Sequence, residues 1–352
     1  MAGARLLEAG YRVEGLFMKN WEEDDEAGYC AAEADLAMAR DVATQLGIPL
    51  HKANYAAEYW QRVFRHFLAE YEAGRTPNPD ILCNREIKFP ALLDQARRLG
   101  ATHVASGHYA EILHEADASH LLRAADAGKD QTYFLCRMTQ EQIRPALFPL
   151  GALLKTEVRR IAYDLGLPNH ARKDSTGICF IGERRFRDFL SRYLRASEGD
   201  ICTPEGRIIG RHRGLMFYTP GQRQGLGIGG VDGAGEAPWY VVAKDIHHNR
   251  LIVAQQTDHP LLLSHQLVTE APHWILYPPA EGESLLARIR HRQPLQVVRI
   301  THMSVNGLQV AFAQPQRAVA PGQSIVFYRN RECLGGAVIA NGKPRPDASL
   351  PV

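Results

Sequence analysis

The pattern of apolar residues changes near residue 195, and this change constrains the fold more than any other feature of the chain. Before it, short apolar runs alternate with segments in which apolar residues recur at helical spacing, as at Val63, Phe64 and Phe67. After it, ten glycines fall within residues 206–235 and helical spacing is almost absent. A chain of 352 residues with two such halves predicts two or three domains.

The first half predicts an α/β domain in which helices cover a parallel sheet. Runs at residues 13–18 and 102–106 are typical of strands, and residues 32–46 and 89–99 are predicted helices that a glycine ends. In such folds the ligand site lies beyond the carboxyl ends of the strands.

The second half predicts β structure, with a small glycine-rich β domain followed by a closed antiparallel β-barrel. Short strands are expected at residues 297–302, 308–312 and 324–328, and Asn306-Gly307 predicts a type I′ hairpin turn. We therefore expect three domains, over residues 1–195, 196–255 and 256–352.

Charge is concentrated at the C-terminal end of the chain. Residues 285–352 contain nine Lys or Arg and two acidic residues, whereas the whole chain carries a net charge of +2. This asymmetry indicates a polyanionic partner such as a nucleic acid, with a merely solvated basic surface as the alternative.

An apolar content of 45% without a run long enough to cross a bilayer excludes a disordered or membrane-spanning protein, and predicts a cytoplasmic protein with no membrane partner.

Two of the six cysteines lie among polar and cationic sequence neighbours. Cys83 follows Asp80 in a proline-rich segment that is expected to be a loop leading into a helix, where the helix dipole and Arg85 favour the thiolate. Asp80 could exchange a proton beside it. Cys179 lies in a glycine-flanked run with five cations nearby. The alternative for both is an inert, buried thiol.

Further polar segments follow predicted strands. Gly107 and His108 could admit and hydrogen-bond a nucleotide, and residues 128–133 form a polar turn suited to a phosphate or ribose, or a plain loop. The glycines of residues 218–230 could donate backbone amides to phosphate or mark tight strand turns.

Taken together, these segments resemble the family of bacterial tRNA-specific 2-thiouridylases, which replace the C2 oxygen of the wobble uridine with sulfur. The resemblance spans nearly the whole chain. It is carried by Leu16-Phe17-Met18-Lys19-Asn20-Trp21, residues 78–89, Gly107-His108-Tyr109, Lys129-Asp130-Gln131, residues 177–182, the run ending at Gly230, residues 239–245 and Cys333-Leu334-Gly335-Gly336.

The resemblance implies roles for individual residues. Cys179 would carry a persulfide, and Cys83 would resolve it by forming a disulfide. Asp80 would be the acid and base, and together with Asn78 and Pro79 it would hold the target uracil. Met18 and Gly107 would line the adenine site. The implied contacts to tRNA are His108, Lys129, Asp130, Gln131, His291, Arg292 and Gln323.

The resemblance also implies ATP with Mg²⁺, which adenylates the uracil oxygen so that AMP can leave, and a sulfur-donor protein, either a cysteine desulfurase or a sulfur relay protein. No metal ligands from the protein are predicted, although an iron–sulfur cluster sharing Cys83 stays open. The family begins with a strand and a Ser-Gly-Gly-Val-Asp-Ser loop that binds the pyrophosphate of ATP, and this sequence begins in the helix that follows. We expect either an enzyme whose start lies further upstream or a catalytically impaired tRNA-binding relative. A thiol redox protein is a third alternative.

Overall fold

The computed structural model describes residues 1–22, 31–172, 186–231, 233 and 235–343. It confirms the predicted fold class, with an α/β part, a small β part and a closed barrel in chain order.

The described residues of the first part form ten short to medium α-helices and six strands. The helices are α1 (Ala2–Glu8), α2 (Ala31–Leu46), α3 (Ala56–Tyr59), α4 (Arg65–Glu72), α5 (Pro79–Cys83), α6 (Phe89–Arg98), α7 (Thr132–Leu135), α8 (Gln140–Ile143), α9 (Lys155–Asp164) and α10 (Phe186–Leu190). The strands are β1 (Gly15–Lys19), β2 (Leu50–Asn54), β3 (Val104–Ala105), β4 (Ala110–His114), β5 (Ser119–Arg123) and β6 (Ala146–Leu147).

The predicted parallel pairing occurs in two separate pairs. β1 pairs with β2, and β3 pairs with β6. The described strands of the two pairs do not join into one continuous sheet.

The helix that follows the two prolines begins earlier than predicted. Asn78 is its N-cap, with its side chain accepting from the backbone amide of Asp80 at 3.2 Å, and Pro79 occupies the first turn, where its missing amide is tolerated. A π-helical stretch (Asn84–Lys88) then joins α5 to α6. The expectation that Cys83 precedes a helix is therefore wrong: Cys83 lies within one.

The middle part is a four-stranded sheet in the order β8-β7-β10-β9. Its strands are β7 (Gly199–Cys202), β8 (Ile208–His212), β9 (Trp239–Asp245) and β10 (Arg250–Gln255).

The C-terminal part is the predicted barrel. Its strands are β11 (Leu263–Thr269), β12 (His273–Trp274), β13 (Ser284–Arg288), β14 (Gln296–Ser304), β15 (Gly307–Arg317), β16 (Ser324–Arg329) and β17 (Glu332–Lys343). Six of them pair in the order β11-β15-β14-β13-β16-β17, and pairing of β11 with β17 closes the barrel.

The turn between β14 and β15 differs from the predicted type I′ turn. Ser304 pairs with Gly307, so the turn residues are Val305 and Asn306, and neither has the positive φ that a type I′ turn requires. Gly307 serves another purpose, because a Cβ at this position would lie 2.3 Å from the carbonyl oxygen of Thr269.

The barrel is physically continuous with the first part. The β4–β5 hairpin joins the barrel sheet where Leu122 pairs with Glu332. Leu121 and Tyr133 of the first part also share one apolar cluster with Tyr328 of the barrel. The relative positions of the two parts are thus fixed by a shared sheet and a shared core. No helix in the described ranges has the length and apolar character needed to span a membrane.

Candidate functional site

Cys83 lies at the end of α5 and is 5% exposed. It belongs to an apolar cluster that also contains Ile87 and, from the middle part, Phe217. Asp80 is half-buried three residues earlier, a spacing that places two side chains on the same face of a helix. The carboxyl group and the thiol thus share one face near the helix N-terminus, although the spatial neighbours of Cys83 are more apolar than its sequence neighbours.

The residue after Cys83 fixes the start of the π-helical stretch. Asn84 is 3% exposed, and its Nδ2 donates to the carbonyl oxygen of Phe134 at 3.1 Å. Single π-helical turns are frequent at functional sites, because they re-aim side chains within a helix. This bond ties the helix of Cys83 to the segment that follows Lys129, Asp130 and Gln131.

The barrel holds the chain just before Asn78. Gln323 Nε2 donates to the carbonyl oxygen of Thr76 at 2.8 Å, and the amide of Thr76 donates to the carbonyl oxygen of Pro321 at 2.8 Å. Gly322 lies directly against this backbone, since a Cβ there would be 2.9 Å from the nitrogen of Thr76. Gln323, which is predicted to contact the tRNA, therefore also holds the protein backbone at Thr76. Residues 74–80 are called the anchored segment below.

The middle part holds the same segment from another side. The Thr76 hydroxyl lies 3.1 Å from the hydroxyl of Thr219, and Lys244 Nζ donates to the carbonyl oxygen of Gly74 at 2.9 Å. Burial lowers the pKa of Lys244 to about 8. All three parts of the chain thus meet at the segment that leads to Asn78, Pro79 and Asp80. Sequence reasoning assigned no role to Thr219 or Lys244, although each lies in a motif singled out above, residues 218–230 and residues 239–245.

Met18 and Gly107 occupy the positions at which α/β folds bind ligands. Met18 lies in β1 next to its last residue, and the exposed Gly107 follows the end of β3 by two residues. β1 and β3 belong to different strand pairs, so strand pairing does not itself bring these two residues together.

His108 is held as a neutral ring. Its Nδ1 lies 2.7 Å from the hydroxyl oxygen of Ser106, and the ring stacks on Phe89 with centroids 5.9 Å apart. Burial, and then the charge of Lys88, holds the pKa of His108 well below 6.5. The imidazole can therefore offer hydrogen bonds at neutral pH and carries no charge for a phosphate.

Several polar groups of the turn at residues 129–131 form hydrogen bonds within the protein. Gln131 exchanges two bonds with Tyr109, with its amide donating to the carbonyl oxygen at 2.8 Å and its Oε1 accepting from the amide at 2.9 Å. Lys129 is half-exposed. The side chain of Asp130 is 0% exposed and has no surface to offer to a tRNA in this conformation.

His291 and Arg292 follow the end of β13 in a loop, residues 289–293, called the barrel loop below. Arg292 is exposed, whereas His291 packs on Phe134 with ring centroids 4.3 Å apart. Burial, and then the charges of Arg288 and Arg292, lower the pKa of His291. The barrel loop thus presents two exposed cations, Arg290 and Arg292, beside the ring of His291.

Cys179 lies outside the described residues, as do three of the five cations near it, Lys173, Arg184 and Arg185. Its approach to Cys83 stays a prediction. Cys136, Cys202 and Cys333 are buried, and burial raises the pKa of Cys136 to about 12, which suits inert thiols. Over the ranges that the structure describes, no group of three or more His, Cys, Asp or Glu side chains is arranged to hold a metal ion.

Comparisons with known proteins cover almost the whole chain. Residues 1–183 match the profile described as the tRNA methyl transferase HUP domain, residues 187–255 the tRNA methyl transferase PRC-barrel domain, and residues 264–339 the aminomethyltransferase beta-barrel domain. The tRNA-specific 2-thiouridylase MnmA of Alcanivorax borkumensis is 58% identical over 340 residues, which are 96% of this chain and 93% of the relative.

The chain belongs to the tRNA-specific 2-thiouridylase family.

Two further members of the family are similarly close. The tRNA-specific 2-thiouridylase MnmA of Methylococcus capsulatus is 57% identical over 98% of this chain and 94% of its own length. That of Acinetobacter baumannii is 55% identical over 96% of this chain and 93% of its own length. The family predicted from the motifs is thereby confirmed.

Proposed function

We propose that this protein is an ATP-dependent tRNA uridine 2-sulfurtransferase that thiolates the wobble uridine. The observation that carries the proposal is its similarity, at 58% identity over 96% of the chain, to a protein named a tRNA-specific 2-thiouridylase. The geometry near Cys83 is consistent with it, because Asn78, Pro79 and Asp80 begin the helix in which Cys83 lies one turn later.

The base pocket is proposed at the start of α5. A wobble uracil must leave its stack to be modified, and the proposed pocket would receive it beside Asn78, Pro79 and Asp80. The Asp80 amide already donates to the Asn78 side-chain oxygen, so the cap itself is held in place. Asp80 would exchange a proton with the uracil, and its half-buried carboxyl group is accessible for this role.

Two cysteines and a nucleotide account for the chemistry. The C2 oxygen of uracil is a poor leaving group, and ATP with Mg²⁺ would convert it into departing AMP. The terminal sulfur of a Cys179 persulfide would attack C2, and the Cys83 thiolate would attack the inner sulfur of Cys179. That exchange forms the Cys83–Cys179 disulfide and leaves the outer sulfur on the base. A dithiol reductant then restores both thiols.

The remaining roles follow the same proposal. Met18 and Gly107 would contact the adenine. His108, Lys129, Gln131, His291, Arg292 and Gln323 would contact the tRNA, and a cysteine desulfurase or a sulfur relay protein would load Cys179. The domain limits of residues 1–195, 196–255 and 256–352 are likewise proposed.

The test is the mobility of cellular tRNA on a mercury-containing gel, which retards thiolated tRNA. A strain lacking its own thiouridylase is supplied with the wild-type gene, with Cys83→Ser or Cys179→Ser, or with Cys202→Ser as the matched control. We expect each of the first two variants to lose thiolation by at least about 100-fold, because each removes a nucleophile, and Cys202→Ser to retain it. Normal thiolation by Cys179→Ser would overturn the proposed chemistry.

A further inference from the structure

Asp130 lies at the centre of a buried polar network that joins the first part of the chain to the barrel. Its carboxylate accepts from the Thr132 hydroxyl at 2.9 and 3.0 Å and from the amide of Ala124 at 3.3 Å. Arg288 Nη2 lies 3.2 Å from the same carboxylate, and the side chains of Asp130 and Arg288 are 0% and 6% exposed. The other ion pairs among the described residues each include a side chain that is at least one-fifth exposed.

Arg288 links this carboxylate to the barrel loop. It is the last residue of β13, its guanidinium stacks over the ring of Tyr328, and its Nη1 donates to the carbonyl oxygen of His291 at 2.9 Å. The loop is further closed on itself by the bond from the amide of Ile289 to Gln293 Oε1 at 2.9 Å. One guanidinium therefore holds both Asp130 and the backbone of His291.

The residues after Asp130 dock into the same end of the barrel. The hydroxyl of Tyr133 donates to the carbonyl oxygens of Ser324, at 3.0 Å, and Ile289, at 3.4 Å. Phe134 packs against the ring of His291. Since Lys129 and Gln131 flank Asp130, the network fixes one predicted tRNA-contacting segment against another.

The energetics of a buried ion pair such as Asp130 and Arg288 favour a role in orienting neighbouring groups over a role in stability. Taking two charges out of water is costly, and buried ion pairs can often be replaced by apolar side chains with little loss of stability. Removing only one partner leaves a buried charge uncompensated and is strongly destabilising. A pair at this position contributes orientation more than it contributes stability, because the planar guanidinium fork fixes the directions of two acceptors at once.

We propose that Asp130 and Arg288 are positioning residues, whose buried ion pair aligns the barrel loop with residues 129–131 so that the tRNA-binding surface is assembled before tRNA arrives. This rests on the proposed function. Under this proposal Asp130 does not touch the tRNA, and the contacts are made by its neighbours and by the barrel loop.

The test compares two double variants that each remove one carboxylate and one guanidinium, so the net charge is preserved. Asp130 also faces Arg123, whose Nε lies 3.8 Å away, but the Arg123 side chain is 22% exposed and water can solvate it when the carboxylate is removed. Asp130→Leu with Arg288→Met removes the buried pair. Glu283→Gln with Arg329→Gln removes an exposed bidentate pair inside the barrel, in which Arg329 Nε and Nη2 bond Glu283 at 2.8 to 3.0 Å, and serves as the control. Both are measured beside the wild-type protein.

The first readout is hydrogen exchange, which needs no tRNA. We expect amides of residues 289–293 to exchange at least about tenfold faster in the buried-pair variant, while the strands of the barrel keep their protection and the control is unchanged. Unchanged exchange in the barrel loop would overturn the proposal. This result stands whether or not the proposed function is correct, and failure of wild-type protein to bind tRNA would count against the function alone.

The second readout is tRNA affinity over a range of salt concentrations. We expect Kd and KM for tRNA to rise about tenfold in the buried-pair variant, with kcat at saturating tRNA and the salt dependence of binding unchanged, because no phosphate contact is lost. Arg292→Ala should instead lower the salt dependence by about one counterion. The proposal would be overturned if the amides of the barrel loop exchange faster in the buried-pair variant while its Kd for tRNA stays at the wild-type value.

Three further variants keep the test decisive. If the buried-pair variant does not fold, Arg288→Lys carries both readouts, because lysine keeps the charge opposite Asp130 but cannot also reach the His291 carbonyl oxygen. The single variants Asp130→Leu and Arg288→Met should weaken tRNA binding non-additively when compared with the double variant that combines them, since either one breaks the same link. Additive losses would mean that Asp130 contributes separately, and would overturn the proposal.

Discussion

The anchored segment and the barrel loop are both predicted to meet the tRNA, but they are held by different kinds of force. The backbone of the anchored segment is fixed by hydrogen bonds from Gln323 and to Pro321, and by the close approach of Gly322. The barrel loop is fixed by a guanidinium that is paired with a buried carboxylate. The first region depends on steric fit and the second on charge.

The difference predicts different tolerance to substitution. Close-packed backbone has no room for added atoms, so a single methyl group is damaging. A buried ion pair tolerates joint replacement but not the loss of one partner. The proposed base pocket should therefore be sensitive to volume, and the proposed tRNA surface on the barrel should be sensitive to unbalanced charge.

The largest effect is expected from Gly322→Ala. Gly322 has φ +89°, and the added Cβ would lie 2.9 to 3.0 Å from three backbone atoms of Thr76. Strain and overpacking together should lower the free energy of unfolding by about 3 kcal/mol, measured by urea denaturation. Gly282→Ala is the matched control, because Gly282 has φ +84° and no atom within 4 Å, so only strain of about 1 kcal/mol is expected. Equal losses in the two variants would show that the contact with Thr76 is unimportant.

A smaller effect is expected from the buried ammonium of Lys244. Its pKa is about 8 in the folded protein and near 10.5 in the unfolded chain, so between these values only the unfolded chain holds the proton. Raising the pH through this window therefore favours folding, and the stability of wild type minus that of Lys244→Met should increase by about 2–3 kcal/mol from pH 8 to 10.5. Urea denaturation at several pH values measures it. A flat difference would mean that the Lys244 amine titrates normally.

The smallest effect on stability is expected from Gln323→Met, which keeps the length of the side chain but removes the donor to Thr76. The loss should be about 1 kcal/mol, because one hydrogen bond to a backbone carbonyl is lost. Gln45→Met is the control, since Gln45 Nε2 donates to the exposed carbonyl oxygen of Leu165, which water can satisfy. Thiolation measured on mercury gels should fall for Gln323→Met alone. Equal thiolation by the two variants would show that Gln323 does not contribute to the proposed base pocket.

The sequence predicted most element types because their signals are local. The periodicity of residues 32–46 and the glycine after them indicate α2, which spans Ala31–Leu46. The start of α5 has a local signal as well, since Asn78 followed by Pro79 is a cap and first-turn pair, but two prolines so close together also favour the interpretation as an extended loop. That interpretation placed Cys83 outside its helix.

Other features could not be predicted because they depend on residues far apart in the chain. Gly307 looks like a turn residue until the carbonyl oxygen of Thr269 is seen against it. Asp130 looks like a surface residue in a polar turn until Arg288 and Tyr328 enclose it. Cys83 and Asp80 were singled out from the sequence, whereas the residues that anchor the segment before them come from the two other parts of the chain.

The hairpin of β4 and β5 has a consequence for how the barrel can be studied. A fragment cut near residue 256 would lack the strand that pairs with Glu332, and it would leave Val326, Tyr328 and Cys333 without the first-part side chains that cover them. Such a fragment would leave Glu332 without its pairing partner in β5 and would expose these apolar side chains, and exposed apolar surface favours self-association. The C-terminal barrel is thus not a unit that can be separated from the first part without exposing apolar side chains.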